Sequence, residues 1–432
     1  MRNNTSWLQH IPKHWEIKRL KDLGFFYGGL SGKSGDDFQS EDENIVKPFI
    51  PYTNILNNFY VNPKVVKFVV INDNEDQNKI QQGDLLFLMS SEDYESIAKA
   101  SVFCENVDEI YLNSFCKGLR ITNKDVYSPF LCYVLSNDDC RDAIRLEAQG
   151  FTRINIKTGK VASASIPLPP LAEQEKIARY LDEKVGEIDQ KVSLIEKKIE
   201  RYQLLKKSII NKVVTKGLHP EAPLKDSHIS WLGQIPAHWE IKRMKDIFLE
   251  SDELTETGTE DLLSVSEYYG VARRKDKMTE DEVYETRADS LIGYKVCHRG
   301  DLVSNIMLTW KRALGISNYD GIVSPAYAVY KGIGINSEYY HYLLRSDMYI
   351  AEFKRHSKGI IESRLRLYTD RFYNIPAIYP PLSEQQEIAS YLDQKCADID
   401  TIIANCTAQI EKYKTLKRAL INEVVTGQRT IE

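Results

Sequence analysis

Two stretches of this chain are near copies of each other and decide its architecture. Residues 169–184 read PPLAEQEKIARYLDEK and residues 380–395 read PPLSEQQEIASYLDQK. The likeness continues to residues 215 and 426, with 23 identical positions of 47 at a constant spacing of 211. Because self-similarity at a fixed spacing is typical of repeated structural units, we interpret the chain as a tandem repeat.

Both copies predict a long helix. Pro-Pro precedes each segment, and Glu173 or Glu384 lies near its start, where a helix N-terminus favours negative charge. Apolar residues then recur every three or four positions for more than four heptads, which is typical of a coiled coil. About 45 helical residues would span roughly 65–70 Å. The predicted seam comprises Leu181, Ile188, Ile195, Ile199 and Tyr202 in the first copy and Leu392, Ile399, Ile403, Ile410 and Tyr413 in the second.

The two helices are expected to pair with each other. An internal two-fold axis perpendicular to them would make the pair antiparallel, although pairing with another protein or with a second copy of this chain stays open. Lys206 and Lys417 occupy positions where the seam favours an apolar residue. Each is either a polar device that fixes the register or a side chain that extends outward into solvent.

A second repeat, which we call the cap, precedes each helix at a distance. Residues 6–22 read SWLQHIPKHWEIKRLKD and residues 230–246 read SWLGQIPAHWEIKRMKD. Thirteen of these 17 positions are identical, so the caps belong to the same duplicated frame as the helices. The order is therefore cap, insert and helix, followed by the same again.

The inserts, about 23–168 and 247–379, correspond only in scattered places, such as Gly-Asp-Leu at 83–85 and 300–302. Short β-rich runs alternate in them with helical stretches, which predicts mixed α/β domains. Two similar frames with dissimilar inserts suggest one task performed on two different targets. We therefore predict an α+β fold of two pseudo-repeated mixed α/β domains and two long helices forming an antiparallel coiled coil. The predicted ranges are 1–165 (first domain), 166–217 (first helix), 218–375 (second domain) and 376–432 (second helix).

Composition limits the class of protein. The chain has 432 residues, 57 basic and 62 acidic, and a formal net charge of −5. It contains no apolar run long enough for a transmembrane helix, and because residues 1–7 lack an apolar stretch we expect no signal peptide. Seven cysteines without a Cys-x-x-Cys pair favour a reduced cytoplasm and argue against a structural zinc site. The acidic balance, taken alone, argues against nucleic acid as a partner.

The sequence contains no enzyme site that we recognise. Residues 27–34 (YGGLSGKS) lack the first glycine of a phosphate-binding loop, and no nucleotide-binding βαβ pattern follows, so a flexible polar loop is favoured. A dinucleotide fingerprint, a His-Glu-x-x-His pair and the Asn-Pro-Pro-aromatic clamp of methyltransferases are all missing from the sequence. His14 and His238 recur beside tryptophans in the caps, which favours packing over catalysis.

Basic residues nevertheless cluster locally. No acidic residue lies between Ala148 and Pro170, and a second cluster occupies 353–371. One such cluster is more often a solvated face, but both precede a Pro-Pro helix start, and their recurrence favours binding to DNA phosphates and base edges. The candidate DNA-binding residues are Arg153, Lys157, Lys160, Arg273, Arg274, Lys275, Lys311, Arg312, Lys358, Arg364 and Arg366.

The arrangement resembles the specificity (S) subunits of type I DNA restriction–modification enzymes. The resemblance rests on the twin Ile-Pro-x-His-Trp-Glu-Ile-Lys-Arg caps (11–19 and 235–243) and the twin Pro-Pro-Leu-x-Glu-Gln helix starts (169–174 and 380–385). It covers nearly the whole chain. The loop at 28–34 and the segment Gly-Phe-Thr-Arg at 150–153 also look like family features, which adds Lys33 to the candidate DNA-binding residues.

The resemblance implies that each insert is a target-recognition domain that reads one half of a split double-stranded DNA sequence. The paired helices would fix the spacer and dock two methyltransferase subunits, and restriction subunits could join them. This chain would bind no cofactor and no metal, since S-adenosylmethionine, ATP and Mg²⁺ would reside on the partner subunits. Two other classes stay open: a coiled-coil scaffold whose terminal domains bind proteins, and a self-contained nuclease or methyltransferase, against which the missing motifs count.

Overall fold

The computed structural model describes residues 6–9, 11–38, 46–72, 74–277 and 290–431. The chain forms two compact units, one containing its first 195 residues with residues 408–432, the other containing residues 196–407. Each unit therefore combines one insert domain with a part of each long helix. We call the insert domains domain 1 (residues 6–168) and domain 2 (residues 224–379).

Domain 1 is a mixed α/β domain. Its strands are β1 (Glu16–Arg19), β2 (Gly24–Gly28), β3 (Val46–Ile50), β4 (Lys67–Val70), β5 (Leu85–Leu88), β6 (Ser90–Ser91), β7 (Ala100–Val102), β8 (Tyr111–Leu112), β9 (Cys116–Ile121), β10 (Ile154–Asn155) and β11 (Ser165–Leu168). Its helices are α1 (Tyr52–Asn57), α2 (Ser128–Ser136), α3 (Asp138–Arg145) and α4 (Thr158–Ala162), with 3-10 turns at Ser6–Leu8, Leu20–Asp22 and Gly35–Phe38. The first long helix, α5 (Leu171–Lys216), follows directly.

Domain 2 repeats this order with small differences. Its strands are β12 (Leu224–Asp226), β13 (Gln234–Pro236), β14 (Glu240–Arg243), β15 (Phe248–Glu250), β16 (Leu263–Ser266), β17 (Gly270–Arg273), β18 (Lys295–Cys297), β19 (Leu302–Ser304), β20 (Leu314–Ile316), β21 (Gly321–Val323), β22 (Ala328–Gly332) and β23 (Pro376–Tyr379). Its helices are α6 (Met244–Ile247), α7 (Ser337–Leu344), α8 (Asp347–His356) and α9 (Thr369–Tyr373), with 3-10 turns at Arg274–Lys277, Thr309–Lys311 and Glu362–Arg364. The second long helix, α10 (Leu382–Val425), follows.

The two domains share one central sheet topology. In domain 1 the antiparallel sheet has the strand order β2-β9-β5-β7, and in domain 2 it has the order β15-β22-β19-β20. Matching the strands by chain order makes these the same arrangement. The scattered sequence correspondence of the inserts therefore conceals a common fold, and the Gly-Asp-Leu stretches mark the start of its equivalent strands β5 and β19.

Each Gly-Asp-Leu forms the same turn. Gly83 and Gly300 have positive φ angles of 88° and 94°, which glycine adopts without a Cβ penalty. Asp84 then accepts a hydrogen bond from the Gln81 amide at 2.8 Å, and Asp301 accepts one from the His298 amide at 2.9 Å. The motif recurs because both central strands enter the sheet through this turn.

The caps close each domain against the segment that leads into its long helix. Strand β1 pairs antiparallel with β11, which ends three residues before α5 begins. Strand β14 pairs in the same way with β23, which precedes α10. The Glu-Ile-Lys-Arg of each cap is the pairing strand, so the repeated sequence at the cap and the repeated helix start are parts of one structural joint.

The long helices pack antiparallel within each unit. In the first unit Leu181 and Ile188 share a buried cluster with Leu420 and Val424, so the beginning of α5 contacts the end of α10. In the second unit the end of α5 and the beginning of α10 share another cluster. Of the predicted seam, Leu181, Ile188, Leu392, Ile399 and Ile410 are buried, whereas Ile195, Ile199, Tyr202, Ile403 and Tyr413 are half-buried. The predicted fold class is confirmed.

Within the ranges described above, neither long helix nor any shorter one is apolar enough over enough residues to cross a membrane. All seven cysteines are free thiols, six of them buried.

Candidate nucleic-acid interface

A carboxylate at the start of each long helix fixes the cap. Glu173 accepts hydrogen bonds from the indole Nε1 of Trp15 at 3.1 Å and pairs with His14 Nε2 at 3.0 Å. Trp15 is buried, while His14 lies on the surface. The second joint repeats the first: Glu384 pairs with His238 at 2.8 Å and accepts from Trp239 at 2.8 Å. In the described structure these histidines therefore contribute to the joint by pairing with its carboxylate.

The glutamine that follows this carboxylate ties the helix to the domain. Gln174 is fully buried; its amide donates to the carbonyls of Pro169 and Asp125 and accepts from the Tyr127 backbone amide at 2.9 Å. Gln385 likewise donates to the Pro380 carbonyl and accepts from the Asn336 amide at 2.8 Å. The Glu-Gln of the repeated motif thus fixes the orientation of each domain relative to the start of its own helix.

Lysines in the seam form matched ion pairs between the helices. Lys206 Nζ lies 2.7 Å from both carboxylate oxygens of Asp400. Lys417 Nζ lies 2.7 and 2.8 Å from those of Asp189. The lysines are 211 positions apart and so are the aspartates, so each unit contains the same pair. Each ammonium group extends out of the apolar seam and binds a carboxylate on the opposite helix. The lysines therefore extend outward and also form a specific polar contact between the helices, the two alternatives that the sequence left open.

Two hairpins carry four of the candidate basic residues. Hairpin 1 is residues 149–155, in which Gln149 and Asn155 exchange backbone hydrogen bonds of 2.9 and 2.8 Å. Hairpin 2 is residues 358–366, in which Lys358 and Arg366 exchange two of 2.9 Å. Each hairpin follows the third helix of its domain, α3 or α8.

The hairpins are attached at equivalent strand ends. Just after hairpin 1, the Ile156 amide donates to the Met89 carbonyl, which follows β5, at 3.1 Å. Just after hairpin 2, the Leu367 amide donates to the Ile306 carbonyl, which follows β19, at 2.9 Å. Since β5 and β19 are central strands of the shared sheet, the two hairpins occupy the same place in the two domains.

The arginines of the hairpins are equivalent too. Arg153 lies two residues before Asn155, and Arg364 lies two residues before Arg366. Between glycine and arginine, hairpin 2 is two residues longer than hairpin 1, which is why its sequence departs from Gly-x-Thr-Arg. Both arginine side chains are exposed, and the Arg153 guanidinium lies 4.5 Å from the centre of the Phe115 ring.

The other candidate DNA-binding lysines of domain 1 differ in whether their ammonium groups are exposed or paired. Lys157 is exposed, whereas Lys160 forms an ion pair with Glu147 at 2.6 Å. Lys33 has only 4% of its side chain exposed and pairs with Glu75, whose pKa it lowers to about 2 together with Asn72. Its ammonium is therefore covered and neutralised in this structure, and a DNA-binding role for Lys33 stays a prediction.

In domain 2 one acidic residue organises the first basic cluster. Asp261 lies 2.7 Å from Lys275 Nζ and 3.2 Å from Arg273 Nε. The Arg273 guanidinium also lies 4.8 Å from the centre of the Tyr319 ring. The side chain of Arg274 is exposed, and its backbone amide donates to the Leu262 carbonyl.

The Lys311-Arg312 pair sits on a tight turn. Arg312 has a positive φ of 70° and its guanidinium pairs with Asp347, so it serves the turn rather than offering a free cation. Lys311 is exposed, with its Nζ 5.0 Å from the ring centre of Trp310. The Arg345 guanidinium, which the sequence did not single out, donates to the carbonyls of Arg312 and Leu314 and so holds this turn.

Comparison with known proteins assigns the chain to a family. The family model of the type I restriction modification DNA specificity domain matches residues 12–201 and again residues 236–412. The chain belongs to this family. It is therefore a specificity subunit, the DNA-recognition component of a type I restriction–modification system, and catalysis belongs to partner subunits.

Curated relatives extend over nearly the whole specificity subunit. It is 24% identical to the MjaVIII specificity subunit of Methanocaldococcus jannaschii, over 97% of this chain and 93% of that protein. It is 23% identical to the StySPI specificity subunit of Salmonella potsdam, over 98% of this chain and 90% of that protein. The family-level match therefore covers both domains and both helices.

Solved structures share the fold of the specificity subunit. A chain from work on complex assembly and conformational transition of the type I R-M system superposes with a TM-score of 0.70 at 15% identity, covering 97% of this chain and 99% of that one. The HsdS subunit of Thermoanaerobacter tengcongensis superposes with a TM-score of 0.52, also at 15% identity, covering 97% and 98%. At this identity the likeness shows the fold alone.

In its described part the specificity subunit has no group of three or more His, Cys, Asp or Glu side chains arranged to hold a metal ion. The sequence alone does not show that Arg153 and Arg364 are equivalent, because a two-residue difference in hairpin length shifts the alignment. The recurring Gly-Asp-Leu turn was the available signal, because it starts the strand whose far end bonds to each hairpin.

Proposed function

We propose that the chain reads a bipartite, asymmetric DNA target, one half with domain 1 and the other with domain 2. The observation that carries this proposal is the pair of equivalent hairpins on one shared sheet topology. Both present an exposed arginine, Arg153 or Arg364, suited to phosphates and base edges. A common position in both domains supports a common task.

Different side chains on equivalent hairpins support two unlike half-sites. Hairpin 1 closes with Gln149 and Asn155, whose amides can donate to and accept from base edges. Hairpin 2 closes with Lys358 and Arg366, which only donate. A duplicated frame matches the symmetry of the duplex backbone, while unlike hairpins read unlike sequences.

The long helices are proposed to set the spacer and to recruit two methyltransferase subunits. Leu205 on α5 and Leu416 on α10 are 47% and 53% exposed, and Leu171 and Leu382 at the helix starts are 36% and 46% exposed. Each pair is 211 positions apart. Exposed apolar side chains at repeated positions are suited to binding the same partner twice.

The cofactors of the reaction are proposed to bind to the partner subunits. S-adenosylmethionine would be bound by the methyltransferases, and ATP and Mg²⁺ by restriction subunits where the system has them. This chain would contribute DNA recognition and assembly and would bind none of these groups itself.

Methylation mapping tests the proposal. Long-read sequencing of the host genome, with and without this gene, is expected to show one gene-dependent methylated motif with two unlike halves. Replacing residues 23–168 with the insert of another family member should change one half and leave the other. A change in both halves, or the absence of any gene-dependent motif, would contradict the assignment of one half to each domain.

A second experiment tests the helices as a ruler. Four residues inserted after Ile195 and four after the equivalent Cys406 shift the heptad phase. Altered spacer length or loss of assembly with the methyltransferases is expected. An unchanged spacer in an assembled, active complex would remove the helices from this role.

A further inference from the structure

The hairpin tips carry the two most exposed large apolar side chains in the described structure. Phe151 in hairpin 1 and Ile360 in hairpin 2 both have their full reference area accessible, at 101%. The next are Tyr268 at 84% and Leu146 at 80%. Full exposure of an apolar side chain at the same place in two domains, with otherwise different sequences, points to a shared use.

At each hairpin tip the backbone of a glycine lies very close to the backbone of the hairpin arginine. Gly150 has a φ of +136°, and a Cβ there would lie 2.0 Å from the carbonyl oxygen of Arg153. A Cβ on Gly359 would lie 2.6 Å from the carbonyl oxygen of Arg364. Only glycine allows the chain to fold back on its arginine in this way. In both hairpins the residue after this glycine is the exposed one, Phe151 or Ile360.

The surroundings of the tips are cationic. Hairpin 1 has Arg153 and the nearby Lys157 exposed, without an acidic residue from Ala148 to Pro170. Hairpin 2 has Lys358 and Arg364 exposed, with Glu362 neutralised by Lys354. An apolar tip beside exposed cations complements a duplex, whose phosphates surround a stack of apolar base faces. A tip that docks on a protein would not need these cations.

We propose that Phe151 and Ile360 are wedges that insert into the base stack of the DNA, one in each half-site. Phe and Ile are among the side chains that DNA-bending proteins insert between base steps, where they partly unstack and kink the duplex. The neighbouring arginines hold the phosphates while the tip enters. This inference rests on the proposed function, because it places each wedge within the half-site that its domain reads.

The test uses the full chain assembled with its methyltransferase subunits and a duplex bearing the mapped target. 2-Aminopurine is placed at successive steps of one half-site or the other, and its fluorescence reports unstacking. The unmodified complex should raise the fluorescence at one step in each half. Phe151→Ala should abolish the rise in the domain 1 half only and weaken binding about tenfold, by loss of stacking. Ile360→Ala should do the same in the other half, with a smaller loss of affinity.

Salt dependence separates a wedge from a phosphate contact. Affinity for Phe151→Ala should fall equally at all salt concentrations, since no counterion release is lost. Arg153→Ala should instead reduce the slope of log affinity against log salt by about one. Phe151→Leu, which keeps an apolar tip, should retain most of the binding. Leu146→Ala and Ile333→Ala, at other exposed apolar residues of the two domains, are the matched controls and should bind normally.

The outcomes are distinguishable from failure of the proposed function. If the unmodified complex binds one bipartite motif and Phe151→Ala and Ile360→Ala bind it with equal affinity and fluorescence, the wedge inference is wrong and the proposed function stands. If either variant fails to co-purify with the methyltransferase subunits, the tips are partner contacts, which also overturns the inference. Because both side chains are fully exposed, unchanged unfolding temperatures are expected and confirm folding.

Discussion

The joints and the domains of this molecule repeat in different ways. At both joints a Glu-Gln pair, Glu173-Gln174 or Glu384-Gln385, makes the same bonds to a His-Trp cap and to the domain backbone. In the domains the strand order repeats but the side chains do not. Four residues after the serine that starts each helix, Ser128 or Ser337, α2 has Cys132 and α7 has His341. The joints demand fixed hydrogen-bond geometry, whereas the domains need only a stable sheet on which different hairpin residues can be presented.

Removing the cap tryptophans should produce the largest effect on stability. Trp15 and Trp239 are buried and donate to a carboxylate at the helix start, so Trp→Ala at either site should cost about 3–5 kcal/mol. Hydrogen exchange followed by mass spectrometry measures the loss separately in each unit. Trp7→Ala and Trp231→Ala, half-buried members of the same caps, should lose less.

If the joints are equivalent, the two main variants lose similar amounts, each within its own unit. A large loss of stability for one variant and none for the other would show that the same hydrogen bonds do not stabilise the two joints equally.

Lowering the pH should destabilise domain 2 through a histidine that domain 1 lacks at the equivalent position. His341 accepts a hydrogen bond from the Ile316 amide at 3.2 Å, and burial together with Arg345 lowers its pKa from 6.5 to about 4. The folded pKa lies below the unfolded one, so the neutral ring stabilises domain 2 above pH 6.5. This contribution, about 3 kcal/mol, should be lost as the pH falls from about 6.5 to about 4.

Hydrogen exchange at several pH values should show this loss in domain 2, with no matching step from Cys132 in domain 1. His341→Asn keeps an acceptor without the titration and should remove the acid step. An acid step of equal size in the variant would mean that other groups cause it.

The buried glutamines should have the next largest effect. Gln174→Ala leaves the Tyr127 amide and two carbonyls without their side-chain partner, which should cost about 1–3 kcal/mol. Gln385→Ala should cost a similar amount in the other unit. Gln203, exposed on α5, is the matched control, and Gln203→Ala should change stability little. Equal unfolding temperatures for Gln174→Ala and Gln203→Ala would contradict the joint as described.

The frame could be predicted from sequence more completely than the domains. Proline pairs, early carboxylates and the heptad pattern predicted both long helices, because these signals are local or periodic. The antiparallel pairing was expected only from an assumed two-fold axis between the repeats. The shared sheet order could not be predicted, because strand pairing depends on contacts distant in the chain. Nor could the sequence show that Lys33 is covered by Glu75, or that two extra residues in hairpin 2 leave Arg364 in the place of Arg153.

The interhelical ion pairs should have the smallest effect on stability. They test whether the two copies of the repeat contribute equally. Lys206–Asp400 and Lys417–Asp189 are partly exposed, and such pairs contribute about 0–1 kcal/mol. A double-mutant cycle with Lys417→Met and Asp189→Asn should therefore give a coupling below about 1 kcal/mol, which shrinks at high salt. The same cycle at Lys206 and Asp400 should give the same value. Unequal couplings at equal salt would show that the helix pair, although repeated in sequence, is not balanced in energy.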